Sequence, residues 1–396
     1  MKKSIFDQLF FNEYRESKKK GLDRKLKTLT KISQIKIRYN NKVLLNFSSN
    51  DYLGLSENRY LKNQTIKMIK QYGIGSGSSR LVSGNYDLHE ETESILAKKK
   101  NSEDSLIFST GYLVNYSVLS SIFNSDIFKK SPIVFSDKLN HQCIYEACKS
   151  KKIHFFRFQH NNLNHLEDLL KQNKNKSNPK FILSESIFSM EGDIADIEGL
   201  ILLKKKYNTF LFLDEAHATG VCGKNGFGLS VKFSKDIDCV TGTFSKAFGS
   251  FGAYVACSKK FKIFLINNCP SFIYSTALPF SLLGSILSAI KIVSKLEKQR
   301  QNLRKNSLFF RRSLKHIGFN IGNSQTHIVP IIIGEPNKTI LISNKLENKG
   351  LYLAPIRPPS VPPKSSRLRI SLSSLHKLNH LNKLIKELKN LSHEIS

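Results

Sequence analysis

Six short segments of this chain are apolar almost from end to end: SLIFS (105–109), PIVFS (132–136), KFILSES (180–186), TFLFLDEA (209–216), DCVTGTF (238–244) and GAYVACS (252–258). A strand with one face in water alternates apolar and polar residues, so a strand without alternation is buried on both faces. Longer stretches with helical spacing, among them LHEETESILAKKK and LEDLLKQ, separate most of these runs. Strands alternating with helices predict an α/β domain whose mostly parallel sheet is sandwiched by helices.

The pattern changes after STALPF (275–280). A helical run over 281–316 is expected to stop at Gly318, followed by a strand in HIVPIIIG, a Pro-rich loop APIRPPSVPPKSS and a strand in RLRISLS. A terminal helix closes the chain with Leu381, Leu384, Ile385, Leu388, Leu391 and Ile395 on one stripe. A length of 396 residues suits two domains. The expected division is a basic helical arm over 1–45 that closes with the alternating KIRYNNKVLLNF, a large domain over 46–280 and a smaller α+β domain over 281–396.

The formal net charge of +31 invites a polyanionic partner, either nucleic acid, an anionic membrane or an acidic carrier protein. Lysine is scattered, however, with triplets at 18–20, 98–100 and 204–206, and Trp is absent. Dispersed charge of this kind reads as compositional drift, because a nucleic-acid groove concentrates charge and interleaves it with aromatics. Asp7 and Glu13 interrupt the apolar run near the N-terminus, which reads as a short amphipathic helix and not a leader; the apolar stretch from Phe280 carries Lys291 and is too short to span a bilayer. Six cysteines without a C-x-x-C pair or histidines at zinc spacing fit a reducing compartment. The expectation is a soluble cytoplasmic protein without metal, membrane or nucleic acid.

In open α/β sheets ligands bind beyond the carboxyl ends of the strands. Chemically active residues sit at such ends here: Asp214 and His217 after FLFLD, Ser184 to Ser189 after FIL, Thr243 and Lys246 after CVTG, and Gly111 in the turn after LIFS. The turn at Thr110, Gly111 and Tyr112 opens a helix whose first N–H groups can hold a phosphate, and Thr243 and Ser245 add hydroxyls. A carboxylate at the end of an apolar strand needs a cation, and a protonated pyridine nitrogen is one. A partly desolvated lysine forms a Schiff base with an aldehyde. A phosphate cradle, a carboxylate and a lysine together describe a pyridoxal phosphate site.

NFSSNDYLGL (46–55), GSGSSRLVSGNYDLHEETE (75–93), DEAHATGV (214–221) and GTFSKAFGS (242–250) resemble the α-oxoamine synthases, fold-type I pyridoxal phosphate transferases. The resemblance runs from about Leu22 to the C-terminal helix. It implies that Lys246 binds the cofactor covalently and later moves the Cα proton, that Asp214 pairs with the pyridine nitrogen, that His217 bonds the phenolic oxygen and that His141 stacks on the ring. Gly111, Tyr112, Ser189 and Thr243 match cofactor contacts, and Ser275 and Thr276 match a segment reaching the phosphate of a second subunit, which implies a homodimer with shared sites. Arg369 matches a carboxylate-gripping arginine, Ser360 a substrate-contacting threonine and Arg24, more loosely, an arginine near the acyl substrate. Arg367 and Arg369 share one strand, and one of them is expected to face solvent; His154, His160 and His165 are expected at the surface.

Tyr112, Ala218 and Ser360 stand where Phe, Gly and Thr are frequent in the family, and none of these changes removes a catalytic group. APIRPPSVP followed by RLRISLS is most similar to the branch that joins L-alanine to a pimeloyl thioester carried by acyl carrier protein or coenzyme A. The alternative within the family is a glycine-using synthase.

Overall fold

The computed structural model describes residues 5–395; Met1–Ser4 of the expected N-terminal arm and Ser396 lie outside the described residues. The chain forms two compact units, one of residues 51–189 and 193–301, the other of residues up to Asn50, 190–192 and from Asn302 onward.

The latter unit starts with the helix Ile5–Lys19 and continues into an antiparallel meander of β1 (Thr30–Ser33), β2 (Lys36–Tyr39) and β3 (Lys42–Asn46). The expected helical arm is thus helical only in its first part. Between β2 and β3, Asn40 and Asn41 both take positive φ, 47° and 61°, which is the backbone of a tight two-residue hairpin.

The other unit is built on β4 (Asp104–Phe108), β5 (Ile133–Asp137), β6 (His154–Phe158), β7 (Lys180–Glu185), β8 (Phe210–Asp214), β9 (Cys239–Thr243) and β10 (Ala253–Cys257). They form one sheet in the order β4-β10-β9-β8-β7-β5-β6. β10 runs antiparallel to both its neighbours, and every other pairing is parallel. β4, β9, β8, β7 and β5 therefore all end at the same edge. All six apolar runs are strands of this sheet. β6 was not expected: HFFRF exposes His154 and Arg157 because it is an edge strand paired only with β5.

One face of the sheet is covered by the helix Gly111–Ile122, whose Val114, Val118 and Leu119 share a core with Leu106, Leu183, Phe212 and Val255. Truncating one such leucine to alanine costs roughly 2–5 kcal/mol. Next to Asp214, Glu215 is fully buried and accepts a hydrogen bond from Lys100 Nζ and one from the Ser230 N–H at 2.8 Å. Lys100, also buried, donates further to Phe227 O at 2.8 Å and Ser230 Oγ at 3.1 Å. Hydrogen-bonded on both carboxylate oxygens and at the ammonium, this ion pair ties the chain after β8 to the 227–230 segment; removing one partner costs about 3–5 kcal/mol.

The expected helical run over 281–316 is two helices, Phe280–Val293 and Glu297–Ile317. Phe280–Val293 packs on the helix Arg59–Tyr72, so the compact unit carrying the large sheet extends past the expected boundary at 280. Residues up to Asn50 belong with the C-terminal part of the chain. There β11 (Ile328–Gly334), β13 (Pro355–Ile356) and β14 (Ser366–Ser371) make an antiparallel sheet in the order β11-β14-β13, while β12 (Leu351–Tyr352) adds to β3 in parallel. No described helix is long and apolar enough to cross a membrane.

His376 shows how tightly this unit closes. It is buried, accepts a hydrogen bond from the Ser373 N–H at 3.0 Å, donates to Asn46 O at 3.2 Å and stacks on Phe47 at 4.3 Å. Burial pushes its pKa down to about 4, with the Asn46 hydrogen bond opposing the shift. A base whose folded pKa lies below its unfolded one contributes stability above the unfolded pKa and loses it as pH falls toward the folded one. The urea midpoint is therefore expected to fall between pH 6.5 and about 4, with the His376 imidazole titrating near the lower end by NMR. An imidazole titrating near 6.5 would contradict this.

Candidate active site

The common carboxyl edge of β4, β9, β8, β7 and β5 gathers the polar residues of the large sheet. Asp214 ends β8, is 6% exposed, and accepts hydrogen bonds from the Ala216 N–H at 2.7 Å and from Asn115 Nδ2 at 2.5 Å. Asn115 is held in turn: Thr241 Oγ1 on β9 donates to its Oδ1 at 2.7 Å, and its Nδ2 lies 3.3 Å from Cys143 Sγ. The carboxylate is thus fixed in direction by a neutral amide and a backbone N–H, and a buried carboxylate of this kind calls for a cationic ligand.

Lys246 follows β9, and its Nζ lies 2.9 Å from His217 Nε2. The other ring nitrogen of His217 pairs with the Tyr52 hydroxyl at 2.7 Å, which sets the ring plane. The turn after Lys246 is closed by Gly249, at φ 63°, where a Cβ would lie 2.2 Å from the Ser56 N. Only glycine lets that turn approach the Leu55–Ser56 backbone.

His141 caps the helix Gln142–Lys149: its Nδ1 accepts from the Cys143 N–H at 3.2 Å and lies 2.9 Å from Cys143 Sγ. Burial pushes the Cys143 thiol up to about 12, so it stays protonated and donates. Two donors at Nδ1 leave the proton of the neutral imidazole on Nε2. The His141 ring has an exposed edge, yet surrounding protein pushes its pKa down, against Asp214 and assisted by Lys246. His141 therefore lies within electrostatic reach of both. Its backbone N–H donates to Glu185, at the end of β7.

A phosphate fits the opposite side. Thr243 Oγ1 is buried and has no hydrogen-bond partner. Gly111, first residue of the helix capped by Thr110, comes so close that a Cβ there would lie 2.6 Å from Thr243 Cγ2. The first N–H groups of a helix have no partner inside it. An orphan hydroxyl on a residue whose methyl packs against a helix start suits an anion bound at that start. The donor set therefore fits pyridoxal phosphate: an anion cradle, a buried carboxylate for the pyridine nitrogen and a lysine for the aldehyde.

Lys246, His217, Asp214, His141, Thr243 and Gly111 are thus at one edge. Ser189 follows β7, buried, while Tyr112 is exposed and stacks at 6.4 Å on Tyr116. Ser275 and Thr276 lie against Ser78–Ser79, through an isolated bridge between Ser79 and Thr276 and the neighbouring Ala277 N–H donating to Ser78 O at 2.9 Å. Arg24, Ser360 and Arg369 belong to the other unit. There Arg24 donates to Pro358 O at 3.2 Å, beside the exposed Ser360, and Arg357 donates to Gly21 O and Asp23 O. Arg369 is buried, with Nη1 3.0 Å from Asn50 Oδ1 and 2.6 Å from Ser371 Oγ. Contrary to expectation, Arg367 does not face solvent either: it is 4% exposed and pairs with Glu191 at 2.9 Å. Asn115, Tyr52 and Cys143 escaped the sequence reading. Asn115 was detectable as the one amide in the apolar helix GYLVNYSV, one turn beyond Gly111.

Comparison with known proteins identifies the family. Residues 42–388 match the family model described as aminotransferase class I and II. The 8-amino-7-oxononanoate synthase of Gluconacetobacter diazotrophicus is 38% identical, covering 98% of both chains. The chain belongs to the α-oxoamine synthases. A Bordetella parapertussis protein that bears the same enzyme name provisionally is 40% identical over 97% of both chains. Among solved structures, Sphingomonas wittichii serine palmitoyltransferase superposes with a TM-score of 0.90 at 24% identity, covering 99% of this chain and 98% of that one. The 8-amino-7-oxononanoate synthase of Francisella tularensis superposes with a TM-score of 0.76 at 26% identity, covering 88% and 98%.

The Asn115–Asp214 hydrogen bond generates a prediction. A hydrogen bond to a charged group contributes about 1.5–3 kcal/mol. Asn115→Leu is therefore expected to weaken pyridoxal phosphate binding roughly 10- to 100-fold in an absorbance titration, an affinity unchanged from wild type being the contrary result.

Proposed function

We propose that this α-oxoamine synthase condenses L-alanine with a pimeloyl thioester to 8-amino-7-oxononanoate, releasing carbon dioxide and the free thiol carrier, as a step of biotin biosynthesis. The observation that carries the chemistry is the buried Asp214 carboxylate, oriented by Asn115, at the same sheet edge as the Lys246–His217 pair. The choice of substrate is supported by the names of the two full-length relatives and by the APIRPPSVP loop.

Bound pyridoxal phosphate supplies an electron sink for the carbanion formed at the amino-acid Cα. Asp214 keeps the pyridine nitrogen protonated. Lys246 would hold the cofactor covalently at its aldehyde, and its Nζ would take the Cα proton of alanine as general base. His217, braced by Tyr52, bonds the phenolic oxygen. Thr243 Oγ1 and the N–H groups at Gly111 and Tyr112 bind the phosphate, together with Ser189 and with Ser275 and Thr276 of a second copy in a cytoplasmic homodimer. His141 covers the ring face and polarises the thioester carbonyl from Nε2. Arg369 grips the alanine carboxylate, and Ser360 and Arg24 flank the acyl chain. The carrier is acyl carrier protein or coenzyme A; with the former, the basic surface steers an acidic partner.

The test is product analysis by mass spectrometry with each amino acid and pimeloyl thioester. The expected result is 8-amino-7-oxononanoate from L-alanine, with turnover lowered at least about 100-fold in Lys246→Ala along with loss of the visible absorbance. Turnover with glycine in preference to alanine would overturn the substrate assignment.

A further inference from the structure

The motif FQHNN, which none of the roles above uses, places His160 between two acidic side chains. Its Nδ1 lies 2.9 Å from Asp137 Oδ1 and its Nε2 lies 2.8 Å from Asp193 Oδ2. Both aspartates are nearly buried, at 2% and 4% exposure, and His160 itself is largely covered, contrary to its expected place at the surface. A neutral imidazole has one N–H and would leave the lone pair of its other nitrogen against a carboxylate. Only the imidazolium donates to both. Burial works against that charge, but the hydrogen bonds and charges of Asp137 and Asp193 outweigh it and raise the pKa to about 10. The cation is therefore present throughout the neutral range.

The two carboxylates stand on different segments. Asp137 ends β5 and shapes the turn that leads to His141: its Oδ1 accepts from the Leu139 N–H at 2.8 Å and its backbone carbonyl from the Asn140 N–H at 3.2 Å. The far end of that turn is the His141 N–H bond to Glu185. Asp193 closes the segment carrying Ser189, because its backbone carbonyl accepts from the Phe188 N–H at 3.1 Å. The Phe188 ring stands edge-on to His160 at 4.4 Å. Asn161 reinforces the same junction, its N–H donating to Asp137 Oδ2 and its Nδ2 to Asp193 Oδ2, both at 2.8 Å.

We propose that His160 is a positioning residue: as a doubly hydrogen-bonded cation it clamps the His141 turn to the Ser189 segment and fixes where the His141 ring stands. This rests on the reading that His141 works over the cofactor ring. A cation between two buried carboxylates resists displacement in both directions, which one neutral hydrogen bond would not do. Breaking the clamp removes the charged link and leaves the turn to neutral bonds and Glu185, among them Asn161 at the junction and Asn140 Nδ2 donating to Leu183 O at 2.9 Å, so the His141 ring loses its fixed register while Lys246, Asp214 and the phosphate cradle stay as they are.

The test is a double-mutant cycle on the holoenzyme with His160→Gln and His141→Ala, repeated with Asp193→Asn, which keeps the side-chain shape and serves if His160→Gln does not fold. The expected result is that each clamp variant retains the absorbance of bound cofactor. Each also lowers kcat about tenfold with the amino-acid KM within about twofold, a coupling of the size that residues in one network show. The double variants are expected to be no slower than His141→Ala alone, and the His160 imidazole to titrate at lower pH in Asp193→Asn. Losses that multiply with that of His141→Ala would overturn the proposal while leaving His141 in its role. A clamp variant that lowers only the melting temperature, with kcat unchanged, would likewise overturn it. A His141→Ala enzyme as fast as wild type would instead remove the His141 reading and the clamp's purpose with it.

Discussion

The Asp214 carboxylate is the constraint on which the site depends. It lies at the end of a strand with no solvent face, where a charge is costly unless something answers it. Within the chain the answers are neutral: the Asn115 amide and the Ala216 N–H. They orient the carboxylate without neutralising it, which leaves it suited to a cationic ring. The neighbouring Glu215, one residue on, is treated in the opposite way, with Lys100 as a buried cation of its own. Adjacent acids are thus treated differently, Asp214 with neutral partners and Glu215 with a cation that secures the loop behind it.

That arrangement follows from the sheet. Because β10 alone is reversed, the ends of β4, β9, β8, β7 and β5 share one edge, and residues far apart in sequence meet there. Gly111 and Thr243 come from opposite sides of β10 and still approach to contact distance. Rigid strands hold Asp214 and Thr243, whereas Lys246 and His141 follow on turns. The turns are braced individually, by Gly249 against Leu55–Ser56 and by Glu185 and Asp137 around His141.

The strand runs and the polar residues at their ends were legible because burial on both faces leaves an unbroken apolar signature, and because Asp214, His217 and Lys246 interrupt it abruptly. β6 was not legible: an edge strand with Arg157 and His154 exposed has no such signature. The meander over Thr30–Asn46 was hidden by its lysines, which mark exposed faces in helices and strands alike. His160 and Arg367 were misplaced for a common reason. A charged residue is expected at the surface by default, and its burial becomes visible only when its partners, Asp137 and Asp193 or Glu191, are seen beside it. Asn115 and Tyr52 act through contacts across 99 and 165 residues, which no local pattern displays.

Nitrogen-15 NMR of the holoenzyme loaded with ring-labelled pyridoxal phosphate tests most directly whether Asp214 holds a protonated pyridine nitrogen. The predicted result is a pyridinium shift that persists across neutral pH and collapses toward the neutral-pyridine value in Asp214→Asn. A neutral-pyridine shift in the wild-type enzyme, or a pyridinium shift untouched by Asp214→Asn, would contradict it.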